Sequence, residues 1–347
     1  MELIKHSWVC IFIVFGFTAF ANVAEEAENN SPKPFEAGDI FVAATVMDNP
    51  DDDHAGTGRI LQYDQDLNLK GALWPKGTSH KIGGLTFDSD GVLWGFAQLT
   101  PVVLQFSPDG KQLPIHKWSD RSFSNVTFGP DGSFYFGEHL AGKSISAGPN
   151  ISTTFRFLPG REVVGDGWIF KYSQDRKQVD RYETDFHPMP PFLAITSTVL
   201  TDNGKRMIYI SENGNRVMQF DLLNKKQLPD LALLQPDWGI PMVLVMVAAP
   251  DGRLLISTNL GFMVLDPDTG ELLDKRSLGG MGWAALAPGI NNEHIVIGNF
   301  FTGEIVKYRF ADGEITARNN IGQKNSLSGV AQFPGIKNTA LPVFENQ

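Results

Sequence analysis

The fold that this 347-residue sequence predicts is all-β, a single six-bladed β-propeller of four-stranded blades. Three observations predict it. A short strand motif recurs six times, Asp-Gly or Asn-Gly pairs precede most of the second strands, and the two chain ends supply complementary parts of one unit.

The recurring motif is a strand with an aromatic residue or leucine at its end. Its copies are Arg59–Tyr63, Val102–Phe106, Trp168–Tyr172, Arg216–Phe220, Gly261–Leu265 and Glu304–Tyr308, and their last residues are spaced by 43, 66, 48, 45 and 43. Alternation of period two with β-branched and aromatic residues is the pattern of half-buried strands. Upstream of each copy runs a second strand, at Ile40–Val42, Leu93–Phe96, Phe134–Phe136, Ile208–Ile210, Leu254–Ile256 and Ile295–Ile297. Tight turns at Asp90-Gly91, Asp131-Gly132, Asn203-Gly204 and Asp251-Gly252 lead into four of these, because such pairs accept the positive φ that short hairpins require. Before the turns lie inner strands such as Gly84–Phe87, Asn125–Phe128, Val245–Ala248 and Trp283–Leu286. The fourth, outer strands are poorly marked. The first unit, starting at Gly38, lacks an inner strand, and Leu327–Gln332 is an inner strand with nothing after it. Joining the two completes the sixth blade and removes an exposed sheet edge.

Charged residues make up 20% and hydrophobic ones 42%, enough apolar material for a large core. The net charge of −10, with no basic cluster, argues against nucleic acid or an anionic membrane surface as partner. Lys5 and His6, the apolar run Trp8–Phe17 and the Ala19-Phe20-Ala21 site read as a secretory signal, so a periplasmic or secreted protein is expected. No later segment is long and apolar enough for a transmembrane helix, so none is expected in the mature chain. Cys10 lies inside the signal, leaving the mature protein without thiols. The expected organisation is a signal peptide over 1–21, a flexible lead-in over 22–37, the propeller over 38–335 and a tail over 336–347.

In a propeller the second-to-third loops share a face with the connections leading into inner strands. Two of these loops are long, Met47 to Thr57 and Glu138 to Gly167, which marks this face as the ligand side. The matching positions of the blades carry Thr45, Gln98, Glu138 with His139, Glu212 with Asn213, Asn259 and Asn299. Such a ring can hold calcium or another divalent cation through oxygen ligands, with Glu138, Glu212 and Asn299 as the metal candidates. It can equally hydrogen-bond a sugar or a lactone. Taken singly, each residue can instead satisfy a turn backbone. Asp51-Asp52-Asp53-His54 reads as a solvated loop tip, since consecutive side chains point in different directions. His80 and His139 are candidate general bases. Trp283 and Trp94 are candidate apolar walls for a ligand or, alternatively, blade core.

The segment Ser211–Phe220, with its Asn-Arg-Val followed by an aromatic, resembles the third-strand signature of NHL repeats. Phe128-Gly-Pro-Asp-Gly132 and Phe106-Ser-Pro-Asp-Gly110 resemble the turns of the wider group containing gluconolactonases, regucalcin and streptogramin lyases. The resemblance implies a six-bladed propeller over the whole mature chain, a scaffold that hosts unrelated activities. A gluconolactonase-type metal site implies Glu, Asn and Asp at the starts of inner strands, and here Asn125 alone has a matching type. A streptogramin-lyase-like site implies His and Glu from neighbouring blades, types that Glu138, His139 and Glu212 supply as catalytic candidates. Thr45, Gln98, Asn125, Asn213, Asn259, Asn299 and Trp283 are the ligand-binding candidates. The expected function is an exported NHL-like propeller that binds a small molecule or a partner protein on its long-loop face. The alternative is a propeller hydrolase or lyase, lactonase-like or streptogramin-lyase-like, acting from the same face. No nucleophile elbow, phosphate loop or zinc-binding helix motif occurs.

Overall fold

A computed structural model describes residues 31–49, 56–78, 81–97, 100–139, 141–142, 165–185, 195–211, 214–235 and 243–336. The signal peptide, most of the lead-in, Asp51–His54, His80 and the C-terminal tail beyond 336 lie outside the described residues.

The chain forms six blades in order. Blade one holds β1 (Ile40–Met47), β2 (Gly56–Tyr63) and β3 (Leu69–Leu73). Blade two holds β4 (Ile82–Phe87), β5 (Leu93–Ala97) and β6 (Val103–Phe106), with an isolated bridge from Phe106 to Gln112 at its outer edge. Blade three holds β7 (Phe123–Phe128), β8 (Phe134–Glu138), β11 (Ile169–Tyr172) and β12 (Gln178–Tyr182); between its second and third strands sits the short ribbon β9 (Ala141–Gly142) with β10 (Gly165–Asp166). Blade four holds β13 (Ser197–Thr201), β14 (Arg206–Ile210) and β15 (Arg216–Asp221), and its outer edge is split into β16 (Lys226–Gln227) and β17 (Ala232–Leu233). Blade five runs through β18 (Val243–Ala248), β19 (Leu254–Thr258), β20 (Gly261–Leu265) and β21 (Leu272–Ser277). Blade six runs through β22 (Trp283–Pro288), β23 (His294–Asn299), β24 (Glu304–Arg309) and β25 (Ile315–Asn320).

The last strand, β26 (Gly329–Gln332), pairs antiparallel with β1 in the register Ile40 to Gln332 through Ala43 to Gly329. It supplies the missing inner strand of blade one, and the inner strands close into a ring. All six second strands and all six third strands fall where the motif puts them. At the inner hairpin turns Gly91, Gly132, Asn203, Gly204 and Gly252 have positive φ, as the Asp-Gly and Asn-Gly pairs require.

Hydrophobic clusters sit between blades rather than at the centre. One joins blades six and one through Ala44, Leu61, Val296, Ile305 and Ile321; another joins blades one and two through Phe41, Ile60, Ile82 and Leu104. Each strand therefore buries both faces near the middle of a blade. The outer strands β21 and β25 alternate between half-buried and exposed positions, because only one of their faces meets a neighbour.

The lead-in is not flexible throughout. Ser31–Ala37 are described, and they are docked: the Phe35 amide donates to Pro108 O, Gln62 Nε2 donates to Pro34 O, and the Ala72 amide donates to Ser31 O. Phe35 joins Phe41, Phe87 and Phe333 in an aromatic cluster over the seam between blade one and blade two.

Candidate functional site

Four of the inner strands change register near the start, where they meet the second strand: at Gly83/Thr86, Phe123/Asn125, Val243/Met246 and Trp283/Ala285. An extra residue there pushes the inner strand toward its partner, and the partner makes room. Gly95, Gly137 and Gly298 stand opposite in blades two, three and six, and a Cβ at Gly137 would meet Asn125 Nδ2 of its own inner strand at 2.8 Å. In blade five Ser257 stands opposite instead, and its hydroxyl accepts the Val245 amide at 3.0 Å.

The residues just beyond this point form the rim of the long-loop face, and at three junctions they staple one blade to the next. Glu138 O accepts the Ile195 amide, Gly214 O accepts the Val243 amide, and Asn259 accepts the Gly282 amide through both its carbonyl (2.8 Å) and its Oδ1 (3.1 Å). Asn299 does the same within blade six: its Nδ2 donates to Met281 O and its Oδ1 accepts the Thr302 amide. These carboxamides satisfy turn backbones, the role open to each of them individually.

Glu138 ends β8 fully buried. Arg121 Nη1 donates to its Oε1 at 2.8 Å and its Oε2 at 3.1 Å, and the Asp166 and Gly167 amides donate to Oε2, both at 2.9 Å. Arg121 also reaches Asp166 Oδ2 at 2.8 Å and lies over the Phe170 ring at 4.7 Å. Burial pushes the Glu138 carboxyl above its usual range, against the pull of Arg121 and the two amides. The carboxylate thus clasps both ends of the long blade-three loop rather than presenting a free acid or metal ligand.

Among the described residues, the other candidate side chains do not join it. His139, beside Glu138, is buried and its amide donates to Ser122 O. Asn125 belongs to a network between the inner strands of blades three and four: its Nδ2 donates to Ser124 Oγ, and Thr198 Oγ1 donates to its Oδ1 at 2.6 Å. Thr45 on β1 is fully buried, with no hydrogen-bond partner for its hydroxyl. Trp283 is core between blades five and six, its Nε1 donating to Gly279 O, and Trp94 is likewise buried, its Nε1 donating to Asp88 Oδ2. Neither forms a ligand wall. Gln98, Glu212 and Asn213 lie outside the described residues. Among the described residues no group of three or more His, Cys, Asp or Glu side chains is placed to hold a metal ion. No helix among them is long and apolar enough to cross a membrane.

Sequence reasoning missed Arg121 and Asp166. A carboxylate at a buried strand end demands a cation, and Arg121 precedes the same blade's inner strand, so that demand was the available signal. On the opposite, inner-turn face, a groove of about 600 Å³ opens at the ends of the inner strands of blades three to five. Phe128, Pro130, Leu200, Ala248 and Pro267 line it, and Arg206, paired with Asp202 and Asp268, stands at its edge.

No family model and no curated protein matches the chain. Solved structures do. A protein of unknown function from Bacteroides caccae aligns over 86% of this chain and 100% of its own, with a TM-score of 0.57 and 11% identity. A chain of a nidogen/laminin complex aligns over 85% and 98%, with a TM-score of 0.52 and 12% identity. The β-propeller domain of Cps50 (Swd1) from Myceliophteria thermophila aligns over 84% and 90%, with a TM-score of 0.50 and 13% identity. These likenesses show the β-propeller fold.

Proposed function

We propose that this propeller is an NHL-like binding module whose long-loop face receives a small ligand or a partner chain. One observation carries the reading: the long connections all leave the same face. Glu138 to Ile169, Tyr182 to Ser197 and Leu233 to Val243 bridge strand ends on that side, whereas inner turns such as Phe87 to Leu93 are short. The blade-three connection is moreover held at its base by the Arg121–Glu138 clasp, which costs a buried carboxylate that a decorative loop does not need. The clasp also favours binding over hydrolysis or elimination, because it leaves Glu138 with its acceptor sites occupied.

Replacing residues 143–163 with a short Gly-Ser linker tests this. Long surface loops add closure entropy only slowly, so the melting temperature should move by no more than a few degrees. Stabilisation by a ligand found in a thermal-shift screen should disappear in that variant. The same stabilisation should persist in Asp131→Asn, which changes the opposite face. The converse pattern would place the binding surface among the inner turns.

A further inference from the structure

Most arginines of the described residues hold a carboxylate: Arg121, Arg206, Arg216, Arg253, Arg309 and Arg318 all do so within 2.8 Å. Arg59 does not. Its Nε is buried without a hydrogen-bond partner, and no carboxylate of the described residues pairs with its guanidinium. Burial draws the Arg59 pKa below its ordinary value, against a smaller opposing pull from Tyr63.

The position is set by register. Arg59 on β2 opposes Ala44 on β1, one residue past the last β1–β26 pair at Ala43 and Gly329, so it stands at the rim of the long-loop face. Cross-strand partners share a face, which puts Arg59 on the side of Ala44 and Leu61, in the cleft between blades six and one. Trp74 leaves β3 directly opposite, 39% exposed, with the Arg59 guanidinium carbon 6.0 Å from its ring centroid. The connection from β25 to β26 runs along the same rim and carries an exposed cation, Lys324. A half-buried guanidinium lying on an indole presents its remaining N–H groups as a fixed planar fork, and a carboxylate is the anion that matches a fork with two parallel hydrogen bonds.

We propose that Arg59 and Trp74 form a receptor for the carboxylate of an acidic small molecule, entering from the long-loop face. The assignment deepens the ligand-face reading and rests on it. Trp74 supplies the flat apolar surface beside the carboxylate, and Arg59 supplies the charge.

The full chain is titrated with glucuronate, acetate and glucose, following tryptophan fluorescence and calorimetric heat. Glucuronate should give saturable binding; acetate distinguishes a bare carboxylate from an acidic sugar by binding more weakly, and glucose should not bind. Arg59→Gln should weaken glucuronate binding at least about tenfold while melting as a folded propeller. Arg59→Lys, which keeps the charge and loses the fork, should fall between. Trp74→Phe should remove the optical signal and leave a calorimetric one. No saturable binding, or equal binding by Arg59→Gln, would overturn the receptor. So would binding that emerges only when Asp51, Asp52 and Asp53 are changed to Asn, since the chain's own acids would then be the occupants. If carboxylates fail while another ligand still gives loop-dependent stabilisation, the receptor falls and the face reading stands; if both fail, both fall.

Discussion

At the scale of single residues, the chemistry on the long-loop face is spent on holding the scaffold. Asn259 and Asn299 complete turns, Asn125 bridges two inner strands, and Glu138 is enclosed by Arg121 and two amides. The pair is asymmetric, because Glu138 is fully buried while Arg121 remains a third exposed. Removing Arg121 therefore strands a buried charge. Arg121→Ala should cost about 3 kcal/mol near neutral pH, the range for breaking a buried ion pair. The pH dependence has a definite sign. The folded-state pKa of Glu138 is raised, so its contribution to stability is fullest below its ordinary value and is lost as pH rises through the folded one. Losing the cation raises that pKa further. The stability gap between wild type and Arg121→Ala should accordingly be smaller at pH 4 than at pH 7 in urea melts. An equal gap at both would mean that the carboxylate is not the group left stranded.

At the scale of the element, the inner strands are the crowded part of each blade. Gly84 on β4 has φ of 60°, and a Cβ there would lie 2.0 Å from Ser124 O of the next blade's inner strand. Gly252, in the inner turn of blade five, has φ of 90° with nothing within 4 Å of the same added atom. Both substitutions to Ala carry the left-handed backbone cost of roughly 1–2 kcal/mol, but only Gly84→Ala adds a backbone collision. Gly84→Ala should lower the urea midpoint at least twice as far as Gly252→Ala. Equal shifts would mean that the inner strands can move apart freely. The bulges behind this crowding were invisible in the sequence. A bulge differs from regular strand by one unpaired residue, and alternation over five or six residues does not resolve it. The outer strands were hard to mark for another reason: with one face wet, β12 and β25 need no run of apolar residues.

At the scale of the whole molecule, stability depends on the ring being closed. β26 is hydrogen-bonded to β1 and abuts the inner strand of blade two, where Ser328 Oγ donates to Ile82 O at 2.6 Å. Phe333, just after β26, then meets Phe35 and Phe87 over the same seam, with ring centroids 5.7 and 5.0 Å away. Truncation before Leu327 should abolish cooperative melting, since it opens a sheet edge and exposes two interblade clusters. Deleting residues 22–30 should change the melting temperature little, whereas extending the deletion through Phe35 should lower it by several degrees through loss of a ring from this cluster. A closed ring that melts alike in both deletions would show that the seam is held by strand pairing alone.

What the sequence determined by itself was the repeat: six second strands, six third strands, the glycine turns and the division of one blade between the chain ends. Those features are local or periodic, written in alternation and in residues that tolerate positive φ. The partners of buried charges belonged to the tertiary structure. Arg121 meets Glu138 across a register of β7 and β8 that a one-residue bulge decides, and among the described residues no carboxylate pairs with Arg59. Strand identity follows from the order of side chains along the chain. Which side chain neutralises which depends on the packing of one blade against the next, and distances of a few ångströms there are fixed only when the ring closes.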